Sequence, residues 1–62
     1  MKVYLVEYLL DNKSKISGIY TDYDNAIASI MDVVGNDFLI TELEANKNYG
    51  GNLGLLPHWH LN

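Results

Sequence analysis

The stretch Val3-Tyr-Leu-Val-Glu-Tyr-Leu-Leu10 is apolar on both of its sides. Side chains alternate across a strand, so Val3, Leu5, Glu7 and Leu9 share one side, with Tyr4, Val6, Tyr8 and Leu10 on the other. One charge in such a run does not suit a strand with one face in water. It predicts a central strand covered on both sides. A chain of 62 residues has a helix for one side at most, so the cover of the second side is the question its remaining segments must answer.

Asp11-Asn-Lys-Ser-Lys15 is a polar cluster that reads as a hairpin loop, and Ile16-Ser-Gly-Ile-Tyr20 follows as a short second strand. Gly18 weakens that strand and marks a bulge or a close approach, which suits a sheet edge. Thr21 is the expected N-cap, with Asp24 completing an approximate capping box. Tyr23, Ile27, Ile30 and Val34 then recur at helical spacing. The spacing predicts a helix over 22–34, stopped by Gly35-Asn36. Asp37 to Ala45 is the third strand, with Phe38, Ile40, Glu42 and Glu44 on one face. The expected fold is α+β: one β-β-α-β domain, with a three-stranded antiparallel sheet in the order 2-1-3 and a helix on one face. That order places the doubly apolar strand in the middle. Residues 1–46 make this core. Residues 47–62 form a tail rich in glycine, asparagine and aromatic residues, expected to pack on the core or on a partner subunit.

Composition narrows the function. A core this small supplies only about 3–5 kcal/mol, and oligomerisation is a usual remedy where disulfides are absent. The chain has no cysteine, so a homodimer is expected. Net charge is −4, with four lysines and no arginine, which is a poor footprint for nucleic acid. No stretch resembles a signal peptide or approaches the ~20 apolar residues of a membrane span. A cytoplasmic protein without direct nucleic-acid or membrane binding is expected.

The residues offer little for catalysis. No cysteine, arginine or Gly-x-Ser-x-Gly elbow is present, and Ser14, Ser17 and Ser29 have no base near them in sequence. Gly50-Gly-Asn-Leu-Gly54 leads into Leu55-Leu-Pro57 rather than a helix start, so it is not a phosphate loop. Paired carboxylates such as Glu42 and Glu44 need a dry, concave pocket for acid–base work, and a one-helix domain has little room for one. No enzymatic activity and no cofactor are expected. His58 and His60 point the same way on an extended segment and are candidate metal ligands. Zinc needs more ligands than these two, so the preferred reading makes Trp59 a packing anchor with the histidines at its rim.

Interaction uses the residues better. With Glu7 kept off the helix side, Val3, Leu5, Leu9, Phe38 and Ile40 form an expected apolar patch beside Glu7, Glu42 and Glu44. Tyr49 and Trp59 supply aromatic anchors. Tyr4 and Tyr8 beneath a helix argue for the reverse assignment, and the tail is a rival cover for the patch, so these alternatives stay open.

Three segments carry a resemblance: Val3-Tyr-Leu-Val-Glu-Tyr8, Ser17-Gly-Ile-Tyr-Thr-Asp-Tyr-Asp-Asn-Ala26 and Leu39-Ile-Thr-Glu-Leu-Glu-Ala-Asn46. Together they resemble short phage and bacterial β-β-α-β proteins, mostly of unknown function, over about two thirds of the chain. The resemblance implies a phage or mobile-element origin. It also implies action by binding a host protein or complex, most concretely as an inhibitor of a defence system such as CRISPR-Cas. It transfers no functional site. The alternatives are a structural or assembly accessory protein and a weak metal-binding domain.

Overall fold

The computed structural model describes residues 1–31, 37–51 and 56–61. The elements are β1 (Lys2–Leu10), β2 (Lys13–Tyr20), α1 (Tyr23–Ala28), β3 (Phe38–Glu44) and β4 (His58–Leu61). All four strands form one antiparallel sheet in the order β2-β1-β3-β4. This corrects the expected three-stranded sheet. The tail segment His58-Trp-His-Leu61 alternates polar and apolar residues and extends the sheet beyond β3, pairing Ile40 with Trp59 and Thr41 with His58.

The first hairpin is tighter than its polar cluster suggested. Leu10 pairs with Lys13, so Asp11 and Asn12 alone make the turn, at φ of 54° and 63°. Two consecutive left-handed residues give the turn that matches the twist of a hairpin, and Asp and Asn tolerate it best after glycine. Further along, the register slips by one: Val6 pairs with Gly18, whereas Glu7 pairs with Ile16, leaving Ser17 as a bulge. Gly18 is where the Tyr20 ring comes close, since a Cβ there would lie 2.9 Å from the Tyr20 ring and hydroxyl.

Helix α1 is shorter than the periodicity predicts. Its N-cap is Asp22, not Thr21, because the Asp22 carboxylate accepts from the Asn25 backbone N–H at 2.7 Å. At the other end, the Ser29 hydroxyl donates to the Ala26 carbonyl at 2.7 Å. The Ile30 N–H bonds the Ile27 carbonyl, three residues back, which tightens the last turn. The capped helix therefore stops at Ala28, and the turn after it carries Ile30 into the core. Val33, Val34 and the expected stop at Gly35-Asn36 lie outside the described residues.

Val6 and Ile40 are directly opposed on β1 and β3, and both are 0% exposed. Ala26, Ile30 and Phe38 complete the buried cluster, with Tyr4, Tyr8, Tyr20, Tyr23, Ile27 and Leu61 around it. An aromatic chain closes the rim: Tyr4 meets Tyr23 edge-on at 5.9 Å, and Tyr23 meets Trp59 at 5.0 Å. Trp59 remains 38% exposed, so it is a rim residue. Ile40→Ala removes buried methyls and costs about 2–5 kcal/mol, most of what a domain of this size has, whereas Ile40→Val costs about 0.5–1.5. Urea unfolding followed by Trp59 fluorescence should show a lowered midpoint for the valine variant and a largely unfolded alanine variant.

Candidate functional site: the helix-free face of the sheet

Pairing register assigns every strand residue to a face. Tyr4, Val6 and Tyr8 of β1 lie opposite Glu42, Ile40 and Phe38 of β3, and these share the helix side with Trp59 and Leu61. Val3, Leu5, Glu7 and Leu9 look the other way, onto a face that carries no helix among the described residues, with Leu39, Thr41 and Leu43 of β3 and with His58 and His60 of β4. From β2 come Ser14, Ile16 and Ile19. Ile16 and Ile19 are three apart, a spacing that would put them on opposite faces of a regular strand. The Ser17 bulge absorbs the odd residue and brings both to the helix-free face.

The ten residues expected to bind a partner are thus split. Val3, Leu5, Glu7 and Leu9 are together on the helix-free face. Phe38 and Ile40 are buried under α1 and cannot join them. The reason is register: Tyr8 pairs with Phe38 and Val6 with Ile40, which fixes the parity of β3 against that of β1.

Glu42 and Glu44 are also on the helix side, at its rim, and both have partners. Glu42 accepts the Tyr4 hydroxyl at 3.0 Å, with the Lys2 ammonium 3.8 Å away. The Glu44 carboxylate lies 3.2 Å from the Met1 amino group, while its backbone N–H donates to the Tyr49 hydroxyl at 2.8 Å. Tyr49, with Lys47 over its ring at 5.0 Å, ties the tail to the end of β3. Trp59 packs on Tyr23 and is not on the Glu7 face.

What the helix-free face presents is uneven. Its centre is closed, with Leu5 buried and Thr41 2% exposed. Its β1–β2 flank is bare: Ile16 and Ile19 are 67% and 64% exposed, and Leu9 is half exposed. Among the described strand residues, Glu7 is the one acid on this face, and no lysine shares it; Lys13 and Lys15 pair with Leu10 and Tyr8 and belong to the other side. The Ser14 hydroxyl donates to Glu7 Oε2 at 2.8 Å, steadying the carboxylate. Beside it is a shallow groove of about 130 Å³ lined by Glu7, Leu9, Ser14, Asp37, Leu39 and His60, with Tyr8 and Phe38 also contributing. Its apolar floor and two carboxylates suit a long cationic side chain, whose methylene stem packs on leucine while its head meets the acids.

Sequence reasoning did not include Ser14, Ile16, Ile19, Asp37 or Leu39 in this surface. The available signal was Gly18 as a bulge marker, because a bulge changes which residues of β2 face the leucines of β1.

His58 and His60 are adjacent on β4, with ring centroids 5.4 Å apart. Among the described residues, no three histidine, cysteine or acidic side chains gather as a metal-binding group. No helix among them is long and apolar enough to cross a membrane. Comparison with protein-family models, with curated proteins and with solved structures finds no match for this chain.

The Glu42 carboxylate that accepts the Tyr4 hydroxyl, together with partial burial and the nearby charges of Glu42 and Asp22, holds the phenol above its ordinary value of 10.0. A folded state that grips this proton more tightly is favoured in full below pH 10, and the advantage is lost as pH climbs through the raised folded value. Urea midpoints measured from neutral to strongly alkaline pH should therefore fall more steeply for the wild type than for Tyr4→Phe. The gap between the two should narrow as pH rises.

Proposed function

We propose that this chain is a small protein-binding module that docks through the β1–β2 flank of its helix-free face. The observation that carries this reading is the exposed trio Leu9, Ile16 and Ile19 around a steadied, centrally placed Glu7. Isoleucines exposed to this extent on a sheet surface are an unfavourable use of water-facing positions, and they make sense as the dry centre of an interface. Glu7 and Asp37 on the groove, with a chain net charge of −4, fit a partner surface that presents a lysine or arginine among apolar groups.

The resemblance to short phage and bacterial proteins gives that partner a class: a host protein or complex in the cytoplasm, most concretely a defence complex such as CRISPR-Cas. Binding there is inhibitory by occupying a working surface, and it requires no catalysis by this chain.

The reading is tested with two variants that leave the core alone. Ile16→Asp with Ile19→Asp puts charges at the centre of the surface, and Lys47→Ala alters a position away from it. Affinity capture from a bacterial host lysate should recover a stoichiometric partner with the wild type and with Lys47→Ala. The aspartate variant should bind that partner about 30-fold or more weakly, the effect of losing a hot spot of roughly 2 kcal/mol. Equal capture by all three overturns the assigned surface. Phage plating on a defence-bearing host, with and without the chain expressed, tests the inhibitory version separately. Unchanged plating efficiency removes that version.

A further inference from the structure

We propose that His58 and His60 form a two-imidazole site for one divalent first-row transition-metal ion of the copper, nickel or zinc kind. Both residues lie on the same face of β4, because strand side chains two apart point the same way. Their ring centroids are 5.4 Å apart and their planes cross at 79°. Two imidazoles on one ion, with metal–nitrogen bonds of about 2.0–2.1 Å at a tetrahedral angle, have centroids roughly 5 Å apart. The centroid spacing on β4 lies close to that value.

A second observation fixes which nitrogen is offered. His58 Nδ1 lies 2.8 Å from the Leu56 carbonyl oxygen. A carbonyl can only accept, so Nδ1 carries the proton, and the lone pair is left on Nε2. Metal-binding histidines characteristically make this bond, which sets both tautomer and ring orientation. The acceptor is itself held in place: the next carbonyl, that of Pro57, accepts the Glu42 backbone N–H at 2.9 Å, so the segment is anchored to β3. Both imidazoles are exposed and open to an ion from solution.

The site differs from a structural zinc centre. With two protein ligands, the ion keeps water in its other positions, so binding is exchangeable and follows intrinsic affinity, with copper(II) ahead of nickel(II) and zinc(II). The open positions belong to the helix-free side, where His60 also lines the groove beside Glu7. A metal here does not depend on the protein-binding reading, since its ligands are not the Ile16–Ile19 pair.

Calorimetric titration of the intact chain with copper(II), nickel(II) and zinc(II) chlorides tests the proposal, with electron paramagnetic resonance of the copper-loaded protein. One ion per chain is expected, tightest for copper, with hyperfine structure from two nitrogens. His58→Ala and His60→Ala should each weaken copper binding tenfold or more, and the double variant should abolish it without changing the circular dichroism. In zinc titrations followed by nitrogen NMR, His58 Nε2 should be the atom that shifts on loading. Absence of binding, or copper affinity retained in the double variant, overturns the site. Coordination through Nδ1 of His58 overturns the orienting role given to the Leu56 carbonyl.

Discussion

The fold depends on one cross-strand contact, Val6 against Ile40. Both side chains are completely removed from water, and they sit where the two inner strands pair and where Ala26 brings α1 down onto the sheet. A helix of six residues has little stability of its own, because nucleation is costly and few backbone bonds repay it. It persists by covering these two residues and by having both ends capped by side chains, Asp22 at the start and Ser29 at the finish. Without that contact neither the helix nor the register of β3 has a reason to be where it is.

From that contact the two faces of the sheet acquire different characters. The helix side is finished with tyrosines, and the objection that a phenol is awkward under a helix is met by geometry. Tyr4 reaches the rim, where its hydroxyl donates to the Glu42 carboxylate, and its ring packs on Tyr23. Glu42 and Glu44 are therefore spent on intramolecular contacts with Tyr4, Lys2 and Met1. On the opposite face the centre is closed at Leu5 and Thr41, but the β1–β2 flank is not, and Ile16 and Ile19 stand in water. The two-sided cover that the apolar run of β1 predicts holds at Leu5 and Val6 and fails at Leu9 and Leu10, which are half exposed.

Much of the fold was legible in residues 1–46, and physical signals mark where legibility ended. The doubly apolar run identified β1 as an inner strand, and Gly18 identified β2 as an edge. Alternation also separated the two sides of β1 correctly. The fourth strand is not legible because four residues are the shortest run on which a period of two can be seen, and Pro57 stands immediately before it. The helix end escaped because periodicity reports which residues face the core, not whether the backbone between them remains helical. Ile30 is buried as its spacing implied, yet it arrives there through a turn.

The candidate surface was the hardest part to read, because it rests on parity between strands, which no single strand encodes. Parity of β3 follows from its register with β1, and parity along β2 changes at Ser17. A one-residue slip exchanges the faces of a whole strand, so a patch assembled from residues of correct type can still be distributed over opposite sides. That is what happened to Phe38, Ile40, Glu42 and Glu44. The same argument gives the bulge a purpose beyond twisting an edge. In a regular β2, one of Ile16 and Ile19 would turn toward the side of Gly18 and Tyr20. The extra residue keeps both isoleucines on the face of Leu9 and Glu7, where with Leu9 they make a bare apolar area on this flank.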